Sequence, residues 1–379
     1  MKKQIFKYMT MGFMLFVMNA CCENESDLLA PKVYFESKED RITIPNEGDA
    51  LNVDLMARLS NMTDGKVNVS YSFAGEEAVK EYNSKNGTNY LLFNATNAAL
   101  ENAGSSIESK SIYAGKVQLT LSKLSQLEEG KSYILPVKVA SGTTPVVPGS
   151  DIKYIILSKP IYITKVGTFS NSHMNVKFPS GTFFKSFTYE ALIYSSSFYG
   201  SSHTIMGVEG VMILRVGDTG GGIAGNILQI AGRQHYEAPD PLLPKKWYHL
   251  ALTYDQSTGK TVMYVNGSKW AESAWGIPGF DPNADVGFKI GKLLGFPWGE
   301  RPFSGYMSEI RVWSVARSEN QIKQNMLGVD PQSDGLELYY KLNGTDKTDN
   351  RLIYDSAKNI EAQTSGIVIK QLDAPITIN

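Results

Sequence analysis

From Pro31 to Ser158 apolar and polar residues alternate. The runs are Val33-Tyr34-Phe35, Arg41-Ile42-Thr43-Ile44, Val53-Asp54-Leu55, Val67-Asn68-Val69-Ser70-Tyr71, Val117-Gln118-Leu119-Thr120-Leu121 and Tyr133-Ile134-Leu135-Pro136-Val137. Residues two apart on a strand share a face, so each run predicts a short strand with one side toward a core. One segment breaks the period. Glu76 to Asn86 puts Val79, Tyr82 and Asn83 on one face and stops at Gly87, which predicts a helix closed by a glycine at C′. Ser141 to Gly149, rich in Gly, Thr and Pro, reads as a loop inside this unit, and Asp151 to Leu157 as its last strand. Lys159-Pro160 then opens a second unit.

The second unit is also strand-rich. Phe187 to Tyr194 is its first clear strand, followed by Trp247 to Asp255 and Lys260 to Gly267, with Gln256-Ser257-Thr258-Gly259 as a hairpin connection between the last two. Asn266-Gly267 supplies a second turn signal, of type I′ character. Phe303 to Trp313 runs into Ala316 to Ile322, where Ser318 and Gln321 have capping-box spacing for a short helix ending before Gly328.

These ordered elements carry two resemblances. Ala78-Val79-Lys80-Glu81-Tyr82-Asn83-Ser84-Lys85-Asn86-Gly87-Thr88-Asn89-Tyr90, with Leu127-Glu128-Glu129-Gly130-Lys131-Ser132-Tyr133-Ile134-Leu135-Pro136-Val137, resembles an immunoglobulin-like domain at the N-terminus of Bacteroidetes surface proteins. That family often precedes a glycoside hydrolase or a lectin-like domain, which implies a spacer or partner-contacting module without catalytic residues. The second unit, continued by Gly335 to Leu342 and Asp355-Ser356-Ala357, resembles the laminin-G-like branch of the concanavalin A-like jelly rolls. That resemblance implies two curved antiparallel sheets whose concave face or edge loops hold sugar. The expected fold is all-β: an immunoglobulin-like β-sandwich over residues 31–160 and a laminin-G-like, concanavalin A-like sandwich over 161–379.

Ahead of both units, Lys2, Lys3 and Lys7 precede an apolar run from Met9 to Met18 and then Ala20-Cys21-Cys22-Glu23. The run is shorter than the roughly 20 apolar residues a span needs. It reads as an export signal over residues 1–20. Ala20-Cys21 resembles a bacterial lipobox, which implies lipidation of Cys21, although Met18 stands where a Leu is usual. Glu23, Glu25 and Asp27 make residues 21–30 an acidic tether, resembling the address of Bacteroidetes lipoproteins on the outer face of the outer membrane. Cleavage before Cys21 would remove 20 residues and three lysines and take the formal net charge from −1 to −4, which asks for no nucleic acid and no anionic membrane. Cys21 and Cys22 are the only cysteines, so the body holds no disulfide and must be stabilised by burial.

Catalytic patterns are missing. Concanavalin A-like glycosidases similar to the endoglucanases carry Glu-x-Asp-x-x-Glu on one strand, and retaining chemistry needs carboxyls about 5 Å apart. No such run occurs, and Glu190 and Glu309 read as structural acids of the laminin-G pattern. Serine-hydrolase, zinc-hydrolase and Walker motifs are absent, and the four histidines are scattered. Gly217-Asp218-Thr219-Gly220-Gly221-Gly222 lacks the lysine of a phosphate loop and reads as a hairpin tip.

Sugars offer apolar C–H faces ringed by hydroxyls, so a sugar site wants an exposed aromatic beside carboxylate, amide or guanidinium groups. Trp275 to Asp281 supplies Trp275 and Phe280; Phe296 to Arg301 supplies Trp298, Glu300 and Arg301; and Gln234 to Glu237 supplies His235 and Tyr236. Asp281, Asn283 and Asp285 alternate as oxygen ligands do in calcium loops, though no glutamate stands at the twelfth position. Turn formation explains them equally. The expected protein is a lipid-anchored surface lipoprotein of the outer membrane that binds oligo- or polysaccharide without cleaving it, alongside sugar importers or glycosidases. The alternatives are a protein-binding adhesin or assembly subunit, and a glycosidase with an unrecognised carboxylate pair.

Overall fold

The computed structural model describes residues 30–44, 48–200 and 202–378; the export segment and Cys21 lie outside the described residues. In the first unit, the alternating runs form one sheet ordered Glu39–Thr43, Ile152–Ser158, Ser132–Ala140, Val67–Phe73 and Gly104–Ile107, faced by a smaller sheet of Ala50–Leu55, Val117–Ser122 and Ala98–Leu100. Val69, Tyr71, Leu119, Leu121, Leu135, Val137, Ile155 and Leu157 meet between them. The helix Glu76–Asn86 lies on the other side of the larger sheet, where Val79 and Tyr82 bury against Ile134 and Ile156. It stops at Gly87, whose φ of 58° is left-handed and therefore open to glycine. Asn83 is also explained: its Oδ1 accepts from Tyr90 N (3.0 Å) and Thr88 Oγ1 (2.7 Å), while its Nδ2 donates to the Tyr90 carbonyl.

The second unit stacks two antiparallel sheets. One is ordered Ser268–Ala274, Lys260–Val265, Trp247–Asp255, Phe187–Tyr194, Ser304–Trp313, Lys165–Ser170 and Val368–Gln371, with Leu336–Tyr340 also paired to Ser304–Trp313. The other has nine strands, from His235–Pro241 through Ile223–Gly232, Met212–Asp218, His203–Val208, Phe288–Ile290 and His173–Val176 to Glu361–Ser365, Leu352–Tyr354 and Lys347–Asp349. Phe187, Tyr189, Ala191 and Ile193 of the first sheet pack against Met212, Leu214, Val216, Leu228 and Ile230 of the second. The residues between them on each strand therefore face outward, and they decide what each outer face can do.

The units meet where one helix ends and another begins. The capping box of Ser318 and Gln321 forms as its spacing predicts, and the Ser318 hydroxyl also donates to the Gly87 carbonyl at 2.5 Å. Asn320 Nδ2 donates to the Asn86 carbonyl, and Lys131 pairs with Asp330 at 3.0 Å. Beside this contact lies a cleft of about 1130 Å³ bordered by Arg41, Tyr90, Tyr162, Lys323 and Ile376.

Candidate functional site

On the outer face of the nine-stranded sheet lies the segment between Ile290 and Ser304. Its Leu293 and Phe296 pack on Ile213 and Ala231, two outward residues of neighbouring strands. Backbone bonds fix its ends: Gly291 N donates to Ile205 O, Thr204 N to Arg301 O, and Leu293 N to Glu300 O at 2.7 Å. Gly291 has φ 80°, and a Cβ there would stand 2.5 Å from the Phe169 ring, so the chain can leave the strand at that point only as glycine. Arg301 pairs with Glu209 at 3.1 Å and lies over the Phe296 ring, whose edge meets Trp298. Trp298 is 80% exposed and is the aromatic plate of this face.

To one side of the segment a polar line crosses three strands. Arg215 Nη2 donates to Asp218 Oδ2 and its Nε to Gln229 Oε1, both at 2.6 Å, and Gln229 Nε2 donates to Glu237 Oε1 at 2.9 Å. Burial lowers the Arg215 pKa, against the opposing pull of Asp218. Glu209 Oε2 and the hydroxyl of Thr204, which stands opposite Arg215 in register, are buried without a hydrogen-bond partner among the described residues. Such atoms cost stability unless something supplies a partner. On the other side sit His173, Asn175, Lys289 and Lys292. Lys289 Nζ donates to Asn175 Oδ1 at 2.5 Å, and Lys292 pairs with Glu300 at 2.8 Å. Beneath and beside one exposed indole this face therefore holds a bonded set of guanidinium, amide, carboxylate and ammonium groups, of which Arg301, Glu300 and Glu237 keep part of their surface and Arg215, Gln229, Lys289 and Lys292 are buried.

The outer face of the other sheet is closed. Glu190 is fully buried between Arg317 and Arg311, whose Nη1 donates to Glu190 Oε2 at 2.7 Å, with His249 at 3.5 Å. Burial would raise the Glu190 carboxyl, yet Arg317 and Arg311 hold it well below the usual carboxylate range. Glu309 takes a hydrogen bond from Arg311 Nη2 and another from the Tyr339 hydroxyl, and burial pushes it up. The short helix Glu319–Gln324 and the carbonyls of Asn325 and Met326, which accept from Arg311, cover the cluster. Neither carboxylate can reach a substrate.

The sequence-expected residues divide. Trp298, Glu300 and Arg301 lie together on the loop of the open face. His235 is exposed on the strand at the edge of the same sheet. Tyr236 next to it points the other way and packs against the sandwich core. Trp275 and Phe280 were expected as exposed plates, and the structure corrects this: both are core residues, Trp275 only 1% exposed. Glycine and proline do place them in a loop, but that loop crosses the open end of the sandwich. There Phe280 packs edge-on against Phe187, and the Tyr254 hydroxyl donates to the Ile277 carbonyl at 2.5 Å. Of the calcium candidates, Asn283 has both ends of its amide bonded to the Phe178 backbone, and Asp281 Oδ1 accepts from Asn283 N at 2.8 Å. These bonds make the stretch a pinned Asx turn.

Arg215, Gln229, Glu209, Lys289, Lys292 and His173 were not foreseen. Their one signal is local: Leu214-Arg215-Val216 and Phe288-Lys289-Ile290 each place a charge between inward apolar residues of a strand. Such a charge must face outward, but nothing in the alternation says what it will meet there.

Known proteins match this arrangement. A model for the laminin-G branch of the concanavalin A-like lectin/glucanase superfamily matches residues 170–323, and a second, N-terminal-domain model matches residues 29–146. A Bacteroides ovatus protein provisionally described as carbohydrate binding is 55% identical and covers 92% of this chain and 100% of its own, with a TM-score of 0.63. A heptameric SAP-like pentraxin from Limulus polyphemus is 14% identical over 56% of this chain and 96% of its own, with a TM-score of 0.37. Bacteroides thetaiotamicron EndoBT-3987 with Man5GlcNAc product is 16% identical over 32% and 28%, with a TM-score of 0.28. None of the curated proteins compared matches the chain.

Proposed function

The chain belongs to the family of the Bacteroides ovatus protein, with a concanavalin A-like second domain, and from that membership we propose that it binds carbohydrate without cleaving it. The observation that carries this reading is identity of 55% over the whole of a relative provisionally described as carbohydrate binding. The burial of Glu190 and Glu309 in ion pairs supports the non-catalytic half, because it removes from reach the acids of the central strands. We place the ligand on the outer face of the nine-stranded sheet, with the Trp298 ring as its stacking plate, Glu237, Arg301 and His235 as its hydrogen-bonding groups, and the buried Arg215 and Gln229 holding Glu237 in place. The cleft between the units is larger than a single sugar ring needs, but it lies away from these groups.

The test is calorimetric titration of the chain against a broad glycan panel, with chromatography of the same mixtures. Binding with intact glycan supports the reading, released sugar overturns its non-catalytic part, and no binding favours the protein-binding adhesin. The placement in the cell belongs to the same proposal: a lipid on Cys21 holding the chain at the outer membrane, beside sugar importers and glycosidases. Cys21→Ala should abolish incorporation of labelled fatty acid, while Cys22→Ala should leave it unchanged.

A further inference from the structure

Lys289 stands out among the buried charges of the second unit. It keeps 7% of its surface, and its ammonium meets one amide oxygen, that of Asn175, and no carboxylate among the described residues. A buried cation without an acid is costly, and folding tolerates it where another interaction compensates. Burial accordingly lowers the Lys289 pKa.

Its surroundings add to the same sign. Lys292 and His173 keep 7% and 9% of their surfaces, and Lys292 is matched by Glu300 and also donates to Asn171 Oδ1 at 3.3 Å. His173 is pushed down by burial first, then by Lys292 and Lys289, and only Glu300 pulls it up. Once the Lys292–Glu300 pair is set aside, the remainder is one ammonium, one imidazole that burial and the two lysines keep below its usual pKa, and the Asn175 amide N–H groups as donors. Opposite Lys289 in register stands Gly207, where a Cβ would meet Met212 O at 2.5 Å, so the neighbouring strand packs close and brings no acid to Lys289 among the described residues.

We infer that Lys289, His173 and Asn175 form a subsite for an anionic oxygen group of the glycan, a carboxylate or a sulfate. The assignment rests on the carbohydrate-binding reading and narrows it to acidic glycans. An anion seated there would accept hydrogen bonds from the ammonium and the amide, and it would raise the His173 pKa, so that affinity grows as pH falls through the histidine range.

The experiment titrates the full chain with matched oligosaccharides: neutral ones, uronate-containing or sialylated ones carrying carboxylates, and sulfated ones. One acidic series should bind at least about tenfold more tightly than its neutral counterpart, the size of a hydrogen bond to a charged group. Which series does so tells carboxylate from sulfate. Lys289→Gln should bring that affinity down to the neutral level, with a melting temperature no lower than that of the original protein. Equal affinity for acidic and neutral glycans overturns the subsite and leaves the carbohydrate reading intact. Binding to none of the three series overturns both. A Lys289→Gln protein that keeps its acidic preference, or that melts lower, would show Lys289 to be structural.

Discussion

The two outer faces of the second sandwich both bury charge, and they balance it differently. Beneath the helix Glu319–Gln324, Glu190 and Glu309 face Arg311 and Arg317, so two acids meet two bases, and the carbonyls of Asn325 and Met326 accept from Arg311 Nη1 and Nη2, with Arg311 Nε alone of its nitrogens unpartnered among the described residues. Across the sandwich, under and beside the loop of Trp298, Lys289 has no acid among the described residues, and Glu209 Oε2 and Thr204 Oγ1 have no donor there. A closed set of charges is finished by folding. An open set is finished by something else, and this separates a structural ion cluster from a candidate site more sharply than exposure or residue type does.

The largest effect that would break the comparison is at Glu190. Glu190→Gln leaves Arg317 buried without its acid and should cost about 3–5 kcal/mol in denaturant unfolding, whereas Lys289→Gln should cost nothing. If the two variants unfold alike, charge balance does not distinguish the faces.

Acid should sharpen it. Because Glu190 titrates below its ordinary value in the folded state, its stabilisation is complete above the usual carboxylate range and is lost as pH falls toward the depressed value. His249, held low by burial, adds to the loss in the same direction below its ordinary value. Melting temperature should therefore fall with pH in the original protein and less steeply in Glu190→Gln; parallel curves would contradict the assignment.

The two tryptophans offer a smaller contrast. Trp275→Ala opens a cavity in the core and should cost about 3 kcal/mol of stability or more. Trp298→Ala should change stability by less than about 0.5 kcal/mol. It should instead cost about 2 kcal/mol of glycan affinity, if the exposed ring is an anchor of the contact. Smallest of all is the response to calcium: with Asn283 committed to the Phe178 backbone, chelation should leave glycan affinity within the error of a titration.

Much of the fold was legible because its causes are local. The helix Glu76–Asn86, the capping box at Ser318, the strand Phe187–Tyr194 and the Asn266-Gly267 turn, both residues at positive φ, follow from periodicity and backbone preference within a few residues. The site was legible only in part. The stretch around Trp298 was found because glycine, proline and an aromatic mark an exposed loop. The same marks around Trp275 led to a buried plug, since composition says that a segment is a loop but not whether it crosses the open end of a sandwich. Arg215, Lys289 and His173 gave almost no signal, because strand alternation tells which way a side chain points and not which strands become its neighbours.

The sequence by itself determined that this is a two-unit β protein, where its strands and turns fall, and that its central acids lack the spacing of a retaining glycosidase. Only the tertiary structure decided that Glu190 would be matched with Arg311 and Arg317 while Lys289 would meet no acid among the described residues. Those pairings join residues more than a hundred positions apart, or fail to, according to which strands lie side by side. Hydrophobic alternation is a property of one strand, whereas charge compensation is a property of the assembled sheets and of what covers them.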